Sequence, residues 1–213
     1  MIINLIIILA AVLALLWSLL SYLVRQSKHP SGFVGQLMMK IWNKAYLPMA
    51  KWSLSLLPNR SHQTILDIGV GNGASTAYLQ RLFPNSQIKG IDISKDAIAK
   101  AKQYYRQDRL TFEVMDVGQM SYPDQTFDLV CAFQTHCHWP DLRQSLLEIK
   151  RVLADDGRLI IACEQSKIKY YLPNLKERED FANYLDKIGL QLQNYQQQAG
   201  WLCYVIAKKY NGL

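Results

Sequence analysis

Acidic residues are missing from the first third of the 213-residue sequence, where no Asp or Glu precedes Asp67. Residues 1–66 carry six of the 24 basic residues and therefore hold most of the net charge of +7. The remaining residues carry 18 basic and 17 acidic side chains, so this part is nearly neutral. A nucleic-acid-binding domain is expected to show a basic face on its folded body. The charge distribution therefore argues against that class of protein.

Cysteine is also scarce and scattered. Cys131, Cys137, Cys163 and Cys203 form no C-x-x-C pair, and the chain is too long for a small disulfide scaffold. We predict four reduced thiols, mostly buried, in a domain that faces a cytosolic compartment.

Charge is absent from the run Ile2–Val24, which has 23 residues and few polar members. A helix of this length can cross a hydrocarbon core of roughly 30 Å. A cleaved signal peptide is the alternative, but the run lacks a charged start and an A-x-A-like cleavage site, and its apolar core is long. We therefore predict that residues 1–24 form a transmembrane anchor.

Basic residues follow this run and set its predicted orientation. Arg25, Lys28, Lys40 and Lys44 lie on its C-terminal side. The positive-inside rule then places the body of the protein in the cytoplasm, behind a single membrane span.

Residues 25–60 form a basic amphipathic segment, in which apolar side chains recur at near-helical spacing between Lys40, Lys44 and Lys51. Such a helix can lie on an anionic membrane surface. It can equally pack on the body as a lid, with its lysines in solvent. Pro48 is expected to break or kink it.

Residues 61–213 alternate between strand and helix patterns. This order predicts an α/β fold with a doubly wound sheet, which binds ligands beyond the carboxyl ends of its strands. Predicted strands cover 64–69, 86–93, 110–116, 126–134, 158–164, 190–195 and 200–209. Predicted helices cover 74–83, 95–107 (with Ser94 as N-cap), 140–154 and 175–189. The last two strands are expected to form a hairpin.

Glycines stand at every second position after the first predicted strand, in "ILDIGVGNGAS". Gly69, Gly71 and Ala74, with Asp92 about 20 residues on, formally fit a dinucleotide-binding fingerprint. Asp67 argues against that reading, because a carboxylate beside the loop repels a pyrophosphate and favours a cation. Asp116 adds a further acid at the same sheet edge. The body is also too short for a separate catalytic domain for hydride transfer.

The combination of "LDIGVGNG", "GIDIS", "EVMDVGQM" and "FDLVCAF…LLEIKRVLADDGRLII" resembles class I S-adenosylmethionine-dependent methyltransferases, of the type that methylates small molecules and lipids. The resemblance covers residues 63 to about 165. It implies a Rossmann-like, seven-stranded sheet whose last strand is inserted antiparallel. It also implies S-adenosyl-L-methionine as the cofactor.

The resemblance assigns cofactor contacts by position. The loop glycines would line the methionine part; they are Gly69, Gly71 and Gly73. Asp67 would lie near the sulfonium and the amino group. Asp92 would accept hydrogen bonds from both ribose hydroxyls, since a carboxylate suits a vicinal diol. Ile93 would pack on the adenine face.

Four further residues are assigned in the same way. Asp116 would meet the adenine amino group, with Val117 beside the ring. Phe133 and Gln134 follow the fourth strand and would lie near the methionine end or the methyl group.

Two histidines in "QTHCHWPD" are the candidate catalytic residues. His136 or His138 could deprotonate a hydroxyl acceptor, because imidazole titrates near neutral pH. Plain packing of the loop is the alternative. A metal site with Cys137 is disfavoured, since three adjacent ligands are too tightly spaced for an ordinary chelate.

Three functions remain open from the sequence. The first is a membrane-anchored methyltransferase whose acceptor is a small molecule, such as a quinone precursor, a fatty acid derivative or a phospholipid head group. The second is a cofactor-binding anchor or assembly protein without catalysis. The third is a nicotinamide-dependent oxidoreductase.

Overall fold

The computed structural model describes residues 2–28, 32–57 and 62–209. The chain divides into two compact units, Met1–Trp42 and Asn43–Leu213. Helix α1 (Ile2–Lys28) lies in the first unit, and helix α2 (Gly32–Leu54) runs from the first into the second. The sequence-based boundary between residues 60 and 61 lies outside the described residues.

Helix α1 confirms that the apolar run is helical. Among the described residues it is the one helix long and apolar enough to cross a membrane, over Ile3–Gln26, where an 18-residue window reaches a mean hydropathy of 2.7. Its apolar side chains are exposed, including Trp17 and Leu13. A signal sequence shares this length and composition, so the transmembrane role stays a prediction.

Seven strands form one sheet in the second unit. They are β1 (Thr64–Ile68), β2 (Gln87–Asp92), β3 (Leu110–Val114), β4 (Phe127–Phe133), β5 (Leu153–Glu164), β6 (Leu190–Gln198) and β7 (Trp201–Lys208). The order across the sheet is β3-β2-β1-β4-β5-β7-β6. Strands β1 to β5 pair in parallel, and β7 lies antiparallel between β5 and β6. The predicted Rossmann-like α/β sheet with an inserted last strand is confirmed.

Five helices connect these strands: α3 (Ala74–Leu82), α4 (Lys95–Tyr104), α5 (Leu142–Val152), α6 (Gln165–Tyr171) and α7 (Arg178–Asp186). Ser94 caps α4 as predicted, because its hydroxyl accepts a hydrogen bond from the Ala97 N–H at 3.2 Å. Asp141 caps α5 in the same way, through the Gln144 N–H at 2.9 Å.

The sheet is covered on both faces, since successive side chains of a strand point to opposite sides. Along β1, Ile65 belongs to one core cluster and Leu66 to the other. The Ile65 face packs against the second half of α2 and against α3 and α4. The Leu66 face packs against α5, α6 and α7.

Strand β5 is longer than the sequence pattern predicts. It begins at Leu153, five residues before the predicted start, because Leu153 already pairs with Phe127. The next pair is Leu129 with Arg158, so the intervening Asp-Asp-Gly segment forms an irregularity inside the strand instead of a separate turn. The short helix α6 was not predicted at all.

Pro48 does not break α2, and on this point the sequence-based expectation of a break is wrong. The helix continues through it to Leu54. Met49, Ala50 and Leu54 are buried in the core cluster on the Ile65 face of the sheet. This burial holds the helix in place across a residue that weakens it locally.

We expect Leu146→Ala to lower the free energy of unfolding by about 2–5 kcal/mol, because the side chain of Leu146 is fully buried under α5. Chemical denaturation of the full chain in mild detergent measures this. Arg143→Ala, on the exposed side of the same helix, should change it by less than about 0.5 kcal/mol. Equal effects of the two substitutions would contradict this packing.

Candidate active site

The candidate site lies at the carboxyl ends of β1, β2 and β4, which are neighbours in the sheet. The chain passes from β1 to β2 on one side and places β4 on the other side of β1. This is the topological switch point at which open α/β sheets bind ligands. The glycine loop of residues 69–73 follows β1 directly and opens α3.

Gly69 packs the loop tightly against the segment after β4. Its φ of +72° suits glycine. A Cβ built at this position would collide with the side chain of Thr135. The Gly69 N–H also donates to the Ile91 carbonyl at 2.7 Å. A side chain at residue 69 would therefore separate the loop from β4.

Gly71 leaves room for a ligand. No heavy atom of the described chain lies within 4 Å of the position that a Cβ would occupy there. Its φ is +55°, and its N–H donates to Asp92 Oδ2 at 2.9 Å. The loop therefore has open space at Gly71, where a side chain would stand, and is fixed to the end of β2.

Asp67 is the most unusual side chain of the site. It is only 1% exposed, and its Oδ2 accepts hydrogen bonds from the hydroxyls of Ser75 at 2.7 Å and Thr76 at 2.8 Å. Its Oδ1 is buried and has no hydrogen-bond partner among the described residues. Such an oxygen loses its hydration without compensation.

This burial perturbs the titration of Asp67. Burial raises the pKa of Asp67 to about 7, although the hydrogen bonds from Ser75 and Thr76 lower it; the nearby charge of Asp92 raises it further. A cationic or N–H-donating ligand at Oδ1 would favour the ionised carboxylate and reverse part of this shift. The site is thus suited to a positively charged group.

Asp92 ends β2 with a fixed carboxylate. Oδ2 accepts from Gly71, and Oδ1 accepts from the Ser94 N–H at 2.9 Å. Each carboxylate oxygen can accept more than one hydrogen bond. The next residue, Ile93, is 61% exposed, so an apolar surface lies beside the carboxylate.

The predicted adenine-side residues follow β3. Asp116 is exposed, and its Oδ1 accepts from the Gly118 N–H at 2.8 Å, which makes a tight local turn. Val117 is buried in the core cluster beneath that turn. The turn thus holds both residues near the end of β3.

Arg151, which the sequence analysis missed, holds the segment after this turn. Its guanidinium donates to the Met120 carbonyl at 2.9 Å, the Tyr122 carbonyl at 2.7 Å and the Asp124 carboxylate at 2.8 Å, and also to Glu148. Hydrogen bonds to the two carboxylates raise the pKa of Arg151. A basic residue near the end of a helix gives no sequence signal for this role.

Phe133 and Gln134 lie at the end of β4 and are largely buried. Gln134 has a φ of +62°, which is uncommon for a residue with a side chain. Its amide accepts from the Glu164 N–H and donates to Glu164 Oε2, both at 2.8 Å. The Gln134 side chain therefore joins the ends of β4 and β5.

The two histidines occupy different environments. His136 is 1% exposed, and its Nδ1 has no hydrogen-bond partner among the described residues. Burial lowers the pKa of His136 to about 3, with a smaller contribution from His138. His138 is exposed, and its ring packs against Tyr171 with 4.8 Å between centroids. A base role is therefore less favoured for His136 than for His138.

No cluster of three or more His, Cys, Asp or Glu side chains in the described part of the chain is arranged to hold a metal ion. The four cysteines are free and buried. Burial raises the pKa of each of these thiols.

Residues 66–161 match the methyltransferase domain family. Together with the seven-stranded sheet whose last strand is inserted antiparallel, this match supports a class I S-adenosylmethionine-dependent methyltransferase domain. Malonyl-[acyl-carrier protein] O-methyltransferase of Bacillus cytotoxicus is 35% identical over 118 residues, which are 54% of this chain and 41% of that protein. The 27-O-demethylrifamycin SV methyltransferase of Amycolatopsis mediterranei is 34% identical over 110 residues, 50% of this chain and 40% of that protein.

Solved structures agree on the fold. A SAM-dependent methyltransferase of Aquifex aeolicus superposes with a TM-score of 0.61 and 17% identity, covering 74% of this chain and 88% of that chain. At this identity the likeness concerns the fold alone. The matched part of the chain spans about a third to a half of the length of the first curated relatives.

The family and the fold imply S-adenosyl-L-methionine as the cofactor, and the residues present fit it. The buried Asp67 Oδ1 has no partner in the described chain, which suits an amino group. The loop is open at Gly71, and Ile93 offers an exposed apolar surface beside Asp92. The carboxylates of Asp67 and Asp92 suit a cationic nucleoside better than a negatively charged pyrophosphate.

We expect Asp67→Asn to change how the stability of the ligand-free protein depends on pH. Because the pKa of Asp67 is higher in the folded state, the folded protein holds its proton between pH about 4 and 7, and the unfolded chain does not. The free energy of unfolding should therefore fall with rising pH, by about 1.4 kcal/mol per unit from this group.

Chemical denaturation of both forms in mild detergent at a series of pH values measures this. The stability of Asp67→Asn relative to the original chain should increase across that window and level off above it. A difference that stays constant with pH would show that Asp67 does not carry the raised pKa.

Proposed function

We propose that this protein is a membrane-anchored methyltransferase that binds S-adenosyl-L-methionine at the glycine loop and methylates a small, lipid-soluble acceptor. The observation that carries the proposal is the buried Asp67 carboxylate, whose Oδ1 has no partner among the described residues. It stands at the end of β1, immediately before a loop that is open at Gly71. A cationic ligand explains both features together.

The chain would hold this cofactor through three regions. Asp67 would accept a hydrogen bond from the amino group and offset the sulfonium charge. Asp92 would accept from the ribose hydroxyls while its backbone hydrogen bonds keep it oriented. Ile93 and Val117 would border the adenine, with Asp116 near its amino group. When bound, the cofactor supplies a methyl group already activated for transfer.

The protein's own contribution is then alignment and exclusion of water. The pair of Gln134 and Glu164 fixes the backbone beside the methionine end. A hydroxyl acceptor would need to lose a proton, and His138 is the better of the two histidines for this step, because it is exposed. His136 would instead stay neutral and pack beside Trp139.

The membrane part of the proposal comes from α1. Its exposed apolar surface extends over Ile3–Gln26. We infer a single membrane span, with the methyltransferase domain on the cytoplasmic side, because Arg25, Lys28, Lys40 and Lys44 follow the span. Tethering at a bilayer raises the local concentration of acceptors that partition into it.

A cofactor-binding protein without catalysis is the second candidate. The observation that favours it is the state of His136, which burial keeps neutral and which is a weak proton acceptor. Alignment alone can be enough for methyl transfer, so this observation does not decide between the two candidates.

Methyl transfer distinguishes them. The full chain in mild detergent is incubated with S-adenosyl-L-methionine carrying a labelled methyl group, together with either a membrane lipid extract or a soluble metabolite extract. We expect label in the lipid fraction. Label only in polar, soluble products would contradict the lipid-soluble acceptor. Cofactor binding without transfer to either extract would favour the second candidate.

Asp92→Ala should weaken binding of S-adenosyl-L-methionine and S-adenosylhomocysteine by on the order of 2 kcal/mol, because two hydrogen bonds to a charged group are lost. Calorimetry on the full chain in mild detergent measures the affinity. Asp96→Ala removes an exposed acid from the first turn of α4 and is the matched control. An unchanged affinity in Asp92→Ala would mean that the ribose lies elsewhere, and binding of NAD instead would overturn the proposed site.

A further inference from the structure

The first half of helix α2 has a face whose side chains are not covered by other described residues. Phe33, Leu37 and Ile41 recur every four residues, so they share one side of the helix. All three are exposed, Phe33 to 81%. Lys40 and Lys44 are also exposed and lie three and seven residues after Leu37, on the same side. We call these five residues the outward face.

The second half of α2 is packed onto the domain. Met49, Ala50 and Leu54 are buried in the core cluster that includes Ile160 and Val205 of the sheet. The second half of α2 is therefore a fixed part of the methyltransferase domain.

The same half of α2 also contacts a residue beside the candidate site. The Tyr46 hydroxyl donates to Glu164 Oε2 at 3.5 Å, and Glu164 in turn holds Gln134. The Lys167 ammonium lies 5.3 Å from the centre of the Tyr46 ring. Trp52 contacts Trp201 with 6.1 Å between ring centroids. The second half of α2 is therefore joined to this edge of the sheet.

The charge of the outward face selects its partner. No acidic residue precedes Asp67 in the sequence, so the lysines of α2 have no acid in their own segment. A helix that presents large apolar side chains between lysines is typical of binding at the interface of an anionic bilayer. Each lysine near such a surface favours binding by roughly 1 kcal/mol.

The chain length between the helices adds a second argument, which rests on the proposed anchor. Only residues 29–31 separate α1 from α2. Even when fully extended, so few residues span on the order of 10 Å. If α1 crosses the membrane, α2 must therefore begin at the depth of the lipid head groups.

We propose that the outward face of α2 docks on the anionic lipid head groups of the membrane that holds α1. The apolar side chains enter the interface, and the lysines contact lipid phosphates.

A fluorescent label on Leu37→Cys tests this in the full chain, since the four native cysteines are buried. The protein is reconstituted into vesicles of phosphatidylcholine, with or without phosphatidylglycerol, that contain a shallow lipid-bound quencher. We expect strong quenching with phosphatidylglycerol. A label on Glu179→Cys, exposed on α7 at the other face of the sheet, should stay unquenched.

A charge variant tests the role of the lysines. The double substitution Lys40→Gln and Lys44→Gln should lower the equilibrium constant for docking of α2, measured from quenching of the label at residue 37, by about thirty-fold. Lys176→Gln with Lys187→Gln removes the same charge from exposed positions near α7 and should leave it unchanged. Equal quenching with and without phosphatidylglycerol, or no effect of the first pair, would overturn docking on anionic lipid.

A third label separates the failure of this proposal from failure of the anchor. A label on Leu13→Cys, within α1, should be quenched by a deep quencher. If it is quenched while the Leu37 label stays in water, the anchor stands, docking is overturned and the face is left to a protein partner. If neither is quenched, both the anchor and the docking fail. None of these readouts depends on methyl transfer.

Discussion

A buried carboxylate organises the edge of this sheet. Asp67 stands at the end of β1, where one oxygen is held by Ser75 and Thr76 and the other has no partner in the described chain. An ionised group in this position opposes folding, since burial disfavours its charge. The surrounding loop is nevertheless tightly built, with Gly69 packed against Thr135. The protein thus loses stability at a position where a bound cation would restore it, a pattern typical of binding sites.

The fold was predictable from the sequence because its signals are local and repeated. Apolar strands, capped helices and the glycine loop each follow from a short stretch, and Ser94 caps α4 as expected. The errors arose where tertiary packing decides. Pro48 stays inside a helix because Met49 and Leu54 are buried beneath it. The Asp-Asp-Gly segment lies inside strand β5 and does not form a separate turn, because Leu153 already pairs with Phe127.

The candidate site was predictable only in part. The acids lie at or just after the ends of strands and the glycines follow β1, and parallel strands bring their carboxyl ends together, so position along the chain was sufficient to place them at this edge. Arg151 could not be found in this way, because it acts through backbone carbonyls of a segment about thirty residues earlier. Nor does sequence show that His136 is buried while His138, two residues later, is exposed. Burial depends on the tertiary packing of the whole domain, and it is the difference in burial that gives these two imidazoles different chemical environments.

Helix α2 connects the proposed membrane anchor to the domain that carries the candidate site. The second half of this helix belongs to the domain through Met49 and Ala50, and Tyr46 in it contacts Glu164 beside the end of β4. The first half presents Phe33 and lysines without any acid nearby in sequence. A flexible tether would hold the domain near a bilayer in every orientation. If the first half of α2 docks on lipid as proposed, the packed second half follows it within a few residues, so the domain would stay close to the bilayer and an apolar acceptor would have only a short passage through water.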